Sequence, residues 1–324
     1  MRSLLLAAAA GTAAALVLTG CGTSEPAKDD NAGTSQKITV TDASGAKVTL
    51  DRAATKVVGT EWNVVESLVT LGVDPVGVAD VKGYTTWDTA APLTNSPKDI
   101  GTRGEPSMDT IAGLTPDLIV ATTDLSASAI KQMKKIAPVL QVKSANGADQ
   151  IGQMNETLDV IAKATGTESK AKTAEASYRT KVAEGRKALE KAGLDGSKIA
   201  FADGYSASNQ VSVRGYTSAS QLGTVNEDLG LKNAWKIKGD KDYGLATTDV
   251  EGLTELGDDV QFLYIGNKSE TDVFTKDLAG NSVWKSLPFV KSGDVHRLDD
   301  GIWMFGGPKS MEQYIDAVVS TLTK

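Results

Sequence analysis

From residue 37 onward, the apolar positions fall into short blocks of two kinds. Residues 37–50 alternate. Ile38 and Val40 stand between polar neighbours, Asp42-Ala43-Ser44-Gly45 has turn chemistry, and Val48 and Leu50 resume the pattern. That predicts a β-hairpin. Beyond it, brief apolar runs that predict buried strands alternate with segments of helical periodicity. Strands are predicted at 57–58, 75–79, 117–121 and 139–142. Helices are predicted at 63–71, where Val64, Leu68 and Leu71 share a face, and at 107–114 and 128–136. Repeated strand–helix units predict a parallel sheet covered by helices.

The rhythm stops between 149 and 193. Residues 149–164 are amphipathic, and 167–192 are rich in Ala, Lys and Glu with no proline. About 26 helical residues span on the order of 40 Å. A helix polar on nearly all faces often connects domains, so this one is read as a bridge rather than a plain surface helix. The alternation then restarts. Strands are predicted at 198–202, 210–213, 260–265 and 294–298, and helices at 220–229, 249–256 and 271–278. A closing helix is predicted at 308–322, with Pro308 in its first turn. The expected fold class is α/β: two Rossmann-like lobes joined by one long α-helix, with a ligand cleft between them. The expected divisions are a signal peptide at 1–20, a flexible tether at 21–36, lobes at 37–166 and 194–324, and a bridging helix at 167–193.

Composition narrows the function. The chain has 324 residues, 34 Lys+Arg and 41 Asp+Glu, a formal net charge of −7, one histidine and one cysteine. It has no basic field for nucleic-acid phosphates. Its soft-ligand inventory is too small for an ordinary protein-held transition metal or for thiol or triad catalysis. A Gly-x-Ser-x-Gly elbow and a phosphate loop are both missing from the sequence, so the protein is expected not to be an enzyme and to need no cofactor. Residues 4–18 form an apolar run after Arg2, too short to span a bilayer, and read as a signal h-region. Leu18-Thr19-Gly20-Cys21 follows and is similar to a bacterial lipobox. In a lipobox the cysteine carries the lipid, so Cys21 is the expected lipidation site. The expected location is the outer face of the cytoplasmic membrane, of a Gram-positive and actinobacterial source.

Across residues 55–324, the chain resembles the iron-siderophore substrate-binding proteins of ABC importers. The motifs that carry the resemblance occur in order. In the first lobe they are Glu61-Trp62-Asn63, Asp99-Ile100-Gly101-Thr102-Arg103-Gly104-Glu105-Pro106 and Leu114-Thr115-Pro116-Asp117. In the second they are Leu229-Gly230-Leu231-Lys232-Asn233-Ala234-Trp235 and Trp303-Met304-Phe305-Gly306-Gly307-Pro308. The nearest likeness is to the hydroxamate binders. It implies that Trp87, Arg103, Trp235 and Trp303 contact a ferric hydroxamate, ferrioxamine- or ferrichrome-like, whose iron the siderophore itself holds. Arg103 either donates to hydroxamate oxygens, or caps a helix end or pairs with Glu105. Trp62 either contacts ligand or staples its lobe. Arg214 and Tyr216 stand at a strand end that either opens on the cleft or does not. Trp284 is read as core and His296 as a strand-end residue.

The resemblance also implies partners and a mechanism: capture, slight closure, and docking on an ABC permease and its ATPase by a monomer, through Asp109 in one lobe and Glu251 in the other. A first-turn carboxylate also suits the helix dipole. One departure stands out. The hydroxamate binders can carry a tyrosine after the Asp117-Leu118-Ile119-Val120 strand. Here that stretch reads Thr122-Thr123-Asp124, and Tyr84, Tyr205 or Tyr216 is left to supply the phenol. The alternative ligand is another bulky one: a ferric catecholate, haem or a corrinoid.

Overall fold

The computed structural model describes residues 37–207 and 210–324. The signal segment, Cys21 and the tether lie outside the described residues. The initial alternation forms an antiparallel hairpin, β1 (Ile38–Thr41) and β2 (Lys47–Leu50), with Ile38 opposite Leu50. Asp42 builds the turn, accepting from Ser44 N, Ser44 Oγ and Ala46 N. Burial alone would raise its pKa; these donors outweigh burial and lower it.

The first sheet follows the predicted strand–helix order: β3 (Val57–Gly59), α1 (Trp62–Thr70), β4 (Gly77–Val78), α2 (Val81–Trp87), β5 (Lys98–Asp99), α3 (Met108–Leu114), β6 (Leu118–Thr122), α4 (Ala127–Met133) and β7 (Val139–Val142). Its strands are all parallel, in the order β5-β4-β3-β6-β7. All five residues of β6 are buried, as expected for a strand covered on both faces. Two elements escape the sequence pattern. In α2 the only buried residue is Tyr84, so it shows no apolar stripe. β5 is two exposed residues long.

Two helices interrupt the alternation. α5 (Gln150–Thr165) ends at Gly166, whose φ of 68° supplies the left-handed cap. α6 (Glu168–Lys191) has 24 residues, a length of about 36 Å. It packs on α5 and α1 on one side of the molecule. On the other side it packs on α7 (Gln221–Asp228) and on α10 (Pro308–Leu322). Its buried stripe is made of small residues, Ala171, Ala174 and Gly185, with Tyr178 and Leu189. A Cβ at Gly185 would stand 2.8 Å from both Ile315 and Leu229. The helix is therefore a clamped strut, with a narrow inner face that its mostly polar composition conceals.

The second sheet departs from the parallel expectation. β8 (Lys198–Ala207) runs five residues past its predicted end and returns as β9 (Gln210–Tyr216). β11 (Leu245–Thr248) adds antiparallel to β9. β10 (Lys232–Asn233), β12 (Val260–Tyr264) and β13 (Val295–Arg297) are parallel, giving the order β11-β9-β8-β12-β13 with β10 beside β8. Two predicted helices shrink to single turns. Gly252–Leu256 is a 3₁₀ turn bounded by Gly257, and Val273–Asp277 is one π turn tied to Asp272. Two further helices, α8 (Ser282–Ser286) and α9 (Pro288–Ser292), are of the same length as these turns; they cover β12.

A buried carboxylate joins the two layers. Glu66 of α1 is fully buried. It accepts from Gly307 N at 2.6 Å, Ser310 N at 2.9 Å and Ser310 Oγ at 2.8 Å. It thus caps α10, which has no cap of its own. Asp88, also fully buried, lies beside Ser310 and Glu66. Burial first and Glu66 second push its pKa up to about 10. Burial also raises the pKa of Glu66, against the donors of Ser310 and Gly307, so the pair favours a protonated form at neutral pH. The folded pKa exceeds the ordinary value of about 4, so native stability falls as pH rises between about 4 and 10. Asp88→Asn removes the part of that slope that Asp88 contributes. Urea denaturation should show the variant gaining stability relative to the natural protein from pH 5 to pH 9. A pH-independent difference would rule out the held proton.

Candidate functional site

A cavity of about 490 Å³ opens between residues of the two sheets. Its first wall starts where β3 ends. Glu61 caps α1, accepting from Trp62 N at 2.9 Å, and takes a second bond from Arg103 Nη1 at 2.7 Å. Arg103 comes from the loop between β5 and α3. Its guanidinium lies 4.0 Å over the Trp62 ring and 5.3 Å from the Trp303 ring. Trp62 is fixed behind by its Nε1–H to Ala79 O at 3.2 Å and meets Trp303 edge-on at 4.6 Å. Trp87, at the end of α2, adds a half-buried face.

The second wall is the β8–β9 hairpin. Asp203 and Arg214 are direct cross-strand partners. Arg214 Nε donates to Asp203 Oδ1 at 2.9 Å and its Nη2 to Oδ2, a bidentate fork. Desolvation works against the Arg214 charge, but the Tyr216 hydroxyl and Asp203 outweigh it and raise its pKa. The guanidinium lies 5.6 Å from the Phe305 ring. Phe305 also meets Trp303 at 5.2 Å and Tyr243 at 5.6 Å. It links the aromatic faces of both walls.

Five of the seven residues expected at the ligand line this cavity: Trp62, Trp87, Arg103, Arg214 and Trp303. Two do not. Tyr216 is 1 % exposed and donates its hydroxyl to Asp203 Oδ2 at 3.1 Å. It supports the Arg214 pair from behind, and burial raises its pKa well above the ordinary value. Trp235 is buried in the core, its Nε1 bound to Phe201 O at 2.9 Å. Gly215 has no side chain to hold it off: a Cβ there would lie 2.6 Å from the indole. Trp235 follows β10 but points under the sheet instead of out of it. Arg103 pairs with Glu61 rather than Glu105.

Several residues of the site went unread in the sequence. Glu61 and Phe305 sit inside motifs that pointed only to their neighbours. Asp203 is recognisable only through the register of β8 with β9. After β6, where the sequence carries no tyrosine, a phenol arrives from a loop of the other sheet. Tyr243 lines the cavity and donates to Asp124 Oδ2. Tyr84 is buried with its hydroxyl on Ala91 O, while Tyr205, 56 % exposed, stands on the cavity's edge. Trp284 is core, and His296 bonds Gln261 on the neighbouring strand. Asp109, in the first turn of α3, and Glu251, just before the 3₁₀ turn, are both exposed. Among the described residues, no group of three or more His, Cys, Asp or Glu is placed to hold a metal ion, and no helix is long and apolar enough to cross a membrane.

The family model named "Periplasmic binding protein" matches residues 57–301. The "Fe(3+)-citrate-binding protein YfmC" of Bacillus subtilis is 29 % identical over 306 residues, 92 % of this chain and 90 % of that one. The "Probable siderophore-binding lipoprotein YfiY" of the same organism is 27 % identical over 322 residues, 96 % of this chain and 95 % of that one. Among solved structures, the "Fe3+ - Desferal bound siderophore binding protein FhuD" of Vibrio cholerae superposes with a TM-score of 0.73 at 27 % identity. That superposition covers 83 % of this chain and 98 % of the other.

The burial of Trp235 separates stability from ligand contact. Trp235→Phe leaves the Phe201 carbonyl unpartnered and a small void, and should cost about 1–3 kcal/mol in urea denaturation. Ligand affinity should stay within about twofold, since 1.4 kcal/mol is needed for a factor of ten. A large affinity loss at unchanged stability would return Trp235 to the cleft.

Proposed function

The chain belongs to the periplasmic binding protein family, and from that premise we propose that it is the extracytoplasmic receptor of an ABC importer for a ferric hydroxamate siderophore. It is a substrate-binding transport protein and not an enzyme. One observation carries the ligand class: two guanidiniums from opposite walls, each backed by aromatic rings, line one cavity. A ferric tris-hydroxamate presents ligated oxygens on its surface and needs donors for them, with apolar faces for its organic frame. It brings its own iron ligands, which suits a cavity without a metal-binding cluster. Desferal, bound by the Vibrio relative, is a linear tris-hydroxamate.

Lipid attachment at Cys21 and docking on a permease through Asp109 and Glu251 complete the reading. A relative of almost equal length is named a lipoprotein. The relatives named above come from Bacillus and Vibrio, and an actinobacterial source gains no support from them.

Tryptophan fluorescence tests the ligand, because Trp62 and Trp303 form the wall. Ferrioxamine B and ferrichrome should quench saturably at sub-micromolar concentration, against iron-free controls. Haem, cobalamin or a ferric catecholate as the sole quencher would discard the hydroxamate. Arg103→Ala should weaken hydroxamate binding by about 2 kcal/mol, roughly 30-fold, as for a charge-assisted bond left unmade. Unchanged affinity would remove Arg103 from the site.

The docking residues separate in a different assay. Glu251→Ala should leave affinity unchanged and reduce iron uptake by cells relying on this receptor. Lost affinity would place Glu251 in the cleft.

A further inference from the structure

Resting on the reading of the cavity as a ferric siderophore site, we propose that it selects its ligand by charge. It admits ferric complexes of neutral or positive net charge, and Glu270 at its edge receives a cationic end group of the ligand.

The charged residues lining the cavity are Glu61, Asp203 and Glu270 against Arg103 and Arg214. Three carboxylates face two guanidiniums. Neither guanidinium is spare. Arg103 is paired with Glu61, and Arg214 is held by both oxygens of Asp203. No further cation replaces them. Arg297, close to the cavity-lining Gly266, is divided between Asp272 at 3.5 Å and Asp300 at 2.5 Å. Lys268 is exposed on the loop of Glu270 and does not line the cavity. Glu270 is exposed, and among the described residues its carboxylate has no ion-pair partner. Its backbone N–H bonds Asn267 O and fixes the turn that carries it.

This arrangement ranks ligands. A ferric tricatecholate is a trianion. To neutralise it, each arginine would have to leave its carboxylate, which would then face the ligand unpaired. A neutral tris-hydroxamate makes no such demand, because it needs donors and not net charge. Each arginine keeps N–H groups that its carboxylate does not use. A pendant ammonium, as on ferrioxamine B, gains Glu270.

Fluorescence titration of the protein with four ferric complexes tests this. They are ferrioxamine B, a monocation; its N-acetylated form, neutral; ferrichrome, neutral; and a tricatecholate. The cation should bind about threefold or more tightly than its acetylated form, as for an exposed ion pair. The gap should shrink with added salt and close in Glu270→Gln, an exposed and structurally mild change. The tricatecholate should be weakest. Equal affinity for the cation and its acetylated form in the natural protein overturns the role of Glu270. A tricatecholate binding more tightly than the neutral hydroxamates overturns charge selection. In both cases, binding of the neutral hydroxamates leaves the proposed function standing. Tricatecholate binding with no hydroxamate binding overturns both.

Discussion

The architecture of the cleft depends on a carboxylate that never meets solvent. Glu66 stands on α1, one turn after Trp62, on the same helical face. Through its three bonds to Gly307 and Ser310 it fixes the start of α10. The Trp303-Met304-Phe305 segment immediately precedes that start. The contact of Trp62 with Trp303 is therefore set by Glu66 beneath it. Gly306 is required for the approach, since a Cβ there would lie 2.2 Å from Glu66 Oε2. Burying a carboxylate is costly unless donors surround it. Here the free N–H groups and the positive end of α10 do so. Asp88 follows Trp87 directly and accepts from Ser310 Oγ at 3.5 Å, which ties the third cleft tryptophan to the same buried cluster.

Other cross-layer bonds reinforce this anchor. Gln150 Nε2 reaches Ala219 O and Asp242 O, and Thr89 binds Gly301 O, while Gln221 reaches Gly306 O within the second half. With the clamped strut α6 alongside, these contacts tie the two halves of the chain together. On the proposed reading, recognition falls to a pre-formed wall rather than to large closure. A rigid ferric complex suits such a wall, because little ordering entropy is lost by either partner.

What the sequence revealed follows the range of the interactions. The strand–helix alternation is local, and nearly every long element stands within a few residues of its predicted position. Arg103 and Trp303 were legible because their motifs are contiguous. Glu66, Asp203 and Tyr243 were not, because each acquires its role from a partner brought in by the fold: Ser310, Arg214 and Asp124. Trp235 misled for the converse reason. Its motif implied ligand contact, while the missing side chain of Gly215, far away in sequence, lets the indole turn inward. The β8–β9 hairpin was read as two short strands because polar residues occupy its outer half.

Pairing the cleft arginines with acids alters what they can contribute. A free guanidinium attracts any anion, and selectivity would then follow charge magnitude. A guanidinium neutralised from behind keeps direction without net attraction. Arg103 gives one nitrogen to Glu61, and Arg214 gives Nε and Nη2 to Asp203; the remaining N–H groups of both are not used by these acids. The aromatic rings under each guanidinium fix its plane, so these donors are held before the ligand arrives. On the proposed reading, the cavity reads the positions of oxygens on a ligand surface, and the carboxylates behind the arginines keep charge alone from substituting for that fit.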